Sequence, residues 1–141
     1  MGDERQLHLF RRKRQRGVKP PSPKEFLLHV ALADTLRRWC TPQWIWTHFP
    51  AGEFRHDATA ARLFRMGLRR GFPDFMFFRD IGRLCAFLEL KRRGEKPSDE
   101  QAAVLEHLRA AGHAVKVADS YGDAVEFLKA IGVLRAGVHV Q

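Results

Sequence analysis

Acidic side chains are scarce in this chain: 16 Asp and Glu stand against 25 Lys and Arg in 141 residues, a formal net charge of +9 at pH 7. Cysteine is scarcer, with only Cys40 and Cys85, and neither sits in a CxxC or Cys/His spacing. A structural zinc site is therefore not expected. Each thiol reads as a small buried side chain, and a reducing cytoplasm is the expected compartment. No apolar run approaches the length of a membrane span, and the N-terminus lacks a signal-peptide core, so a soluble intracellular protein without a membrane partner is expected. There is no internal repeat. At this length the chain is expected to form one domain large enough for a real core.

What is abundant is positive charge. An excess of this size suits a polyanionic partner such as nucleic acid, and it speaks to association rather than to fold. Its densest stretch is Arg11, Arg12, Lys13, Arg14 and Arg16, followed by Pro20, Pro21 and Pro23. Prolines keep such a stretch stiff and extended, so residues 1–23 read as an arm outside the core. It is either a solvated tail or a phosphate-binding arm whose affinity comes from counterion release. A second basic cluster, Arg55, Arg62, Arg65, Arg69 and Arg70, leads up to Asp74, and Arg69 and Arg70 are candidates for holding phosphates. Arg92 and Arg93, just past Lys91, add to the candidate DNA-binding set.

Against that background the few buried-looking charges stand out. Asp74 opens one expected strand, residues 74–78, and Glu89 and Lys91 lie two apart on the next, residues 84–91. Side chains alternate across a strand, so Glu89 and Lys91 share a face while Leu90 points into the core. The segments around them, such as Phe75 to Phe78 and Leu84 to Leu88, are apolar almost throughout, which is the pattern of strands covered on both faces. Charges at such a place need a reason. One is a structural Asp74–Lys91 salt bridge. The other is catalysis: two carboxylates can hold a hard divalent cation, and a neighbouring Lys can orient water and stabilise charge on phosphate. Buried charges without a cation or substrate carry a desolvation cost, which favours the second.

The rest of the chain supplies alternating elements. Ser22, Pro23 and Glu25 make a capping-box start for a helix whose Leu28, Leu32, Leu36 and Trp39 fall at helical spacing. Residues 43–49 read as a strand, with Trp44 and Trp46 on one face and His48 near its end; packing roles are expected for the Trp pair, and His48 is a lesser candidate for base or ligand. Residues 58–68 support a short helix, and residues 79–83 a Gly-containing hairpin loop. Ser98 and Gln101 form a second capping box for a helix to about Ala111, ended by Gly112. A short strand, residues 114–118, and a last helix, residues 122–131, follow. This order predicts a three-layer α/β domain with a mixed central sheet flanked by helices.

Gly71-Phe72-Pro73-Asp74-Phe75, then Phe87-Leu88-Glu89-Leu90-Lys91, then Ser98-Asp99-Glu100-Gln101, together resemble the core of the PD-(D/E)XK (restriction-endonuclease-like) nucleases. With Leu105, Leu108, Gly112, Val115, Val117 and Ser120 behind them, they are similar to the VRR-NUC (virus-type replication-repair nuclease) branch in its stand-alone phage and bacterial form. The resemblance spans roughly residues 24–131. It implies a nuclease domain over residues 24–132, with 133–141 as a tail or short strand. It also implies a metal-dependent DNA endonuclease in a bacterial or phage-infected cytoplasm. Mg²⁺ or Mn²⁺ would be held by Asp74, Glu89, the Leu90 backbone carbonyl and Glu25. Lys91 would align the attacking water, and Gln101 would support it. Glu25 and Gln101 keep their capping roles as alternatives. Where the family often has Gln one turn after the helix Glu, this chain has His29. The resemblance further implies branched DNA such as four-way junctions as substrate, and a homodimer presenting two sites. Trp39, Trp44, Phe54 and residues 133–140 are the surplus apolar surface available for that interface. The rival readings are a flap-directed nuclease and a DNA-recruiting module that keeps the fold without cutting.

Overall fold

The structure, a computed structural model, describes residues 23–50 and 56–139. Residues 1–22 of the expected arm, with the Ser22 cap, Phe54, Arg55 and the last two residues, lie outside the described residues, whereas Pro23 opens the first helix. Eight elements alternate along the chain: α1 (Pro23–Trp39), β1 (Trp44–His48), α2 (Asp57–Arg65), β2 (Phe75–Arg79), β3 (Cys85–Leu90), α3 (Asp99–Ala110), β4 (Ala114–Ala118) and α4 (Tyr121–Ala130). This is the expected order, with boundaries displaced by at most three residues. The four strands form a single sheet in the order β1-β2-β3-β4. β1–β2 and β2–β3 are antiparallel, whereas β3–β4 is parallel and joined through α3. The sheet is therefore mixed, and the architecture is the expected α/β one.

Alternation along β3 sorts its neighbours into layers. Ala86, Leu88 and Leu90 join Phe75, Phe77 and Trp44 in one buried cluster with Leu32 and Leu36 of α1 and Ala124, Val125 and Leu128 of α4. That is the main core, between the sheet and the α1–α4 pair. It is tied across the top by Thr35 Oγ1 and Tyr121 OH, 2.6 Å apart. Phe87 and Glu89 point to the opposite face, where α3 lies, with Val104 and Leu105 buried. The β3-α3-β4 crossover between the two parallel strands delivers α3 to that side.

Three sequence expectations are corrected here. β3 is buried along nearly its whole length, but β2 is covered fully on one face only: Phe78 is exposed, and so is its register partner Ile45 on the edge strand β1. α3 packs against β4, at the opposite edge of the sheet from β1. Trp44 belongs to the core rather than to spare surface, because it faces α1 and α4. Val133 and Leu134 are likewise fully buried; the chain after α4 turns back and bridges Leu134 to Cys40. Of that interface set Trp39 is exposed, and so are Ala136 and His139 within residues 133–140.

Candidate active site

Three segments meet at one end of β3: the loop before β2, the end of β3 itself, and the first turn of α3. Asp74 is placed by its backbone and its side chain together. Its carbonyl accepts from Phe49 N at 2.7 Å and faces His48 Nδ1 at 2.9 Å. Its Oδ2 accepts the Leu90 N–H at 2.7 Å. That last bond pins the Leu90 peptide beside the carboxylate while the Leu90 side chain is sealed in the core.

Glu89 is almost fully buried, and its two oxygens are treated very differently. Oε1 meets Lys91 Nζ at 2.7 Å and accepts Gln101 Nε2 at 2.6 Å. Oε2 is buried with no hydrogen-bond partner. Lys91 thus pairs with Glu89, its same-face neighbour, rather than with Asp74. Gln101 makes the capping bond and a second bond to Glu89. Its Oε1 accepts the Ser98 N–H at 2.9 Å and completes the capping box, while its Nε2 reaches Glu89. The amide can serve the two together because its acceptor and donor ends point apart.

Gly71 makes this meeting possible. Its φ of +85° lies in the left-handed region, and a Cβ there would stand 2.8 Å from the Glu100 carbonyl oxygen. The loop carrying Pro73 and Asp74 passes directly against the start of α3, and only glycine permits that approach. The sequence shows Gly71 as part of a pattern; its contact with α3 is visible only in the fold.

Burial dominates the electrostatics. Removal from water pushes the Asp74 carboxyl up to about 6, against the downward pull of the Leu90 N–H and of Lys91. Burial, and then the nearby Asp74 charge, push Glu89 up to about 7 although Lys91 opposes them. Two carboxylates in one desolvated place resist carrying two negative charges unless a cation joins them. An unpartnered buried carboxylate oxygen beside such a pair fits a divalent cation. Among the described residues, no three His, Cys, Asp or Glu side chains are grouped tightly enough to hold one by themselves. Backbone, water and phosphate oxygens would complete the set, as Mg²⁺ sites commonly require.

The remaining candidates surround this centre. Glu25, in the first turn of α1, has Oε2 3.9 Å from Arg92 Nε, and its charge contributes to raising Asp74. Arg69, Arg92 and Arg93 are exposed, while Arg70 is half-buried. Arg69 lines a groove with Phe49, Leu63, Met66 and Phe72, between α2 and the loop before β2. His29 is a site neighbour to which sequence pattern assigned no role: its Nε2 lies 3.7 Å from Asp74 Oδ2. Its signal was positional, one helical turn after Glu25.

The VRR-NUC domain family model matches residues 30–121, a span that holds Asp74, Glu89, Lys91 and Gln101 but not Glu25. The chain belongs to that family. A solved structure of a VRR_NUC domain is similar with a TM-score of 0.54 at 17% identity, covering 77% of this chain and 97% of that one. A second, of a VRR_NUC domain protein, gives 0.61 at 19% identity, covering 78% and 88%. No curated protein matches the chain. At these identities the structures speak to the fold, which they share. The VRR-NUC domain is a nuclease domain of the PD-(D/E)XK type, a type that generally uses divalent metals and binds DNA. Among the described residues no helix is long and apolar enough to cross a membrane.

Proposed function

We propose that this VRR-NUC domain is an endonuclease that hydrolyses DNA phosphodiester bonds at the Asp74–Glu89–Lys91 centre. One observation carries the reading: a fully buried glutamate spends one oxygen on Lys91 and Gln101 and leaves the other without a partner. Asp74, Glu89 and the Leu90 carbonyl, with Glu25 beside them, would hold Mg²⁺ or Mn²⁺. When bound, the cation supplies Lewis-acid stabilisation of phosphate charge and a more acidic water. The chain's own residues do the positioning. Glu89 anchors the Lys91 ammonium through one of its three N–H donors, leaving the others to orient the attacking water and a phosphate oxygen. Gln101 holds the Glu89 carboxylate in place from a capped helix start, so the Lys–Glu pair cannot rotate out of register. Arg92 and Arg93 follow Lys91 directly and, with Arg69, Arg70 and the basic run of Arg11, Arg12, Lys13, Arg14 and Arg16, supply cationic contacts to the DNA backbone.

The substrate we favour is branched DNA such as a four-way junction, acted on by a homodimer. Resolving a junction takes two symmetric cuts, and this domain has one such centre. A C₂ pair is the simplest assembly that presents two. The test is a panel of labelled junction, flap, duplex and single-stranded DNA with Mg²⁺ or Mn²⁺. It is to be run on wild type, Glu89→Gln and Lys91→Ala, with light scattering for the dimer. Wild type should cleave, Glu89→Gln should not, and Lys91→Ala should lose several orders of magnitude in rate yet still bind. Wild-type protein that binds every substrate and cuts none would leave a recruiting module instead. A monomer that prefers flaps would remove the junction reading.

A further inference from the structure

Asp74 is flanked by two imidazoles. His48 faces the Asp74 backbone carbonyl through Nδ1 at 2.9 Å, and because a carbonyl only accepts, Nδ1 carries the hydrogen. His48 is thereby committed to positioning the Asp74 backbone. His29 addresses the carboxylate instead. It lies one helical turn after Glu25 on α1, which puts both side chains on the same face, towards Asp74. Its ring stands edge-on to His48, with centroids 5.3 Å apart and planes at 88°, and 5.6 Å from the ring of Phe75, a core residue. Packing on those two rings fixes the imidazole plane, so the direction of Nε2 is set by the fold.

The Nε2–Oδ2 separation of 3.7 Å is too long for a hydrogen bond. It is within the span of two donors that share an ion. With cation–donor bonds of roughly 2.1 Å, adjacent donors on an octahedral ion sit roughly 3.0 Å apart and opposite ones roughly 4.2 Å, so Nε2 and Oδ2 reach adjacent positions by closing less than about 1 Å. The carboxylate oxygen has the capacity as well, since the Leu90 N–H occupies only one of its lone pairs. Glu89 Oε2, buried and without a hydrogen-bond partner, is an independent sign that this centre is built for a cation.

We infer that His29 donates a nitrogen ligand to the cation held by Asp74, and that the site thereby prefers a first-row transition cation such as Mn²⁺ to Mg²⁺. The inference rests on the cation site proposed above. The selectivity follows from ligand chemistry. Mg²⁺ takes oxygen donors in near-ideal octahedra and keeps its waters, whereas imidazole nitrogen favours the softer transition ions. An all-oxygen site would not discriminate in that way.

The test is direct Mn²⁺ and Mg²⁺ binding to the full chain without DNA, with pulsed electron paramagnetic resonance of the bound Mn²⁺. Wild type should show imidazole nitrogen coupling and bind Mn²⁺ more tightly than Mg²⁺. His29→Gln should abolish the coupling and weaken Mn²⁺ binding by at least about tenfold, the loss typical when even an outer ligand contact is removed, with little change for Mg²⁺. His29→Glu restores an oxygen donor, guards against a folding artefact, and should bind Mn²⁺ without nitrogen coupling and with the preference narrowed. Mn²⁺ bound in an Asp74-dependent way, judged by its loss in Asp74→Asn, but with no nitrogen coupling in wild type or with coupling that survives His29→Gln, overturns this inference alone. No Mn²⁺ or Mg²⁺ binding to wild type overturns it together with the cation site itself.

Discussion

Helices α2 and α3 flank the same loop, residues 66–74, and are about equally short, yet they are held by opposite means. α3 begins with a complete capping box, buries Val104 and Leu105, and sends Gln101 to Glu89. α2 has no side-chain cap and no buried residue, and Phe64 stands 67% exposed near its end. Its apolar residues repeat at helical spacing, which is enough to specify a helix. They do not specify a docking partner. The helix that the site depends on is the one tied at both its cap and its core face. The helix carrying Arg62 and Arg65 rides on the outside, where exposed basic side chains can meet a phosphate backbone.

That contrast can be broken most easily at Leu105. Leu105→Ala should cost about 2–4 kcal/mol, as expected for a buried leucine whose site collapses only partly. Urea unfolding measures it, and a loss below about 1 kcal/mol would mean that α3 is not held by its core face. Gly71→Ala should come next, costing about 1–3 kcal/mol from the left-handed backbone and the forced contact with Glu100, together with a loss of cleavage larger than the stability change explains. If activity survives at near wild-type rate in the folded variant, the close approach of the Asp74 loop to α3 does not position the site.

A pH effect tests the charge at the α3 side. Asp74 and Glu89 have native values of about 6 and 7, raised above ordinary values of 3.8 and 4.5, so the folded chain binds protons that the unfolded chain has released. Stability of the ion-free protein should therefore fall as pH rises from about 4 to above 7, with the penalty complete at the upper end. A Tm several degrees lower at pH 8 than at pH 5 is expected, and the proposed cation site predicts its recovery by Mn²⁺ at pH 8, since an ion taken up by the folded state alone stabilises it. Glu89→Gln should flatten this slope; an unchanged slope in that variant would place the titration elsewhere. The smallest effect belongs to α2. Phe64→Ala should change stability by less than about 0.5 kcal/mol. A loss above about 1 kcal/mol would show that α2 is docked after all, and the contrast with α3 would vanish.

The order of elements, the mixed sheet and the placing of Glu89 and Lys91 on one face were legible in the chain. They follow from local rules: the two-residue alternation of strands, capping boxes, and turn residues such as Gly82 and Gly112. Less was legible where a side chain's fate depends on what arrives from far away. Trp44 and Ile45 are adjacent and both large and apolar, but α1 and α4 cover one and nothing among the described residues covers the other. Val133 and Leu134 read as part of a tail or short strand with spare apolar surface because nothing local marks them for burial; the bridge to Cys40 does so across most of the chain's length.

The same division runs through the site. By itself the sequence determined which residues carry the charge and where on their elements they stand, because strand and helix periods are properties of the backbone. Only the tertiary structure decided which charges meet: that Lys91 turns to Glu89 and not to Asp74, that Gln101 caps and contacts at once, and that His29 stands beside Asp74. Those outcomes depend on the distances between elements, on desolvation, and on a loop that approaches α3 at Gly71. None of these is a property of any short stretch of chain.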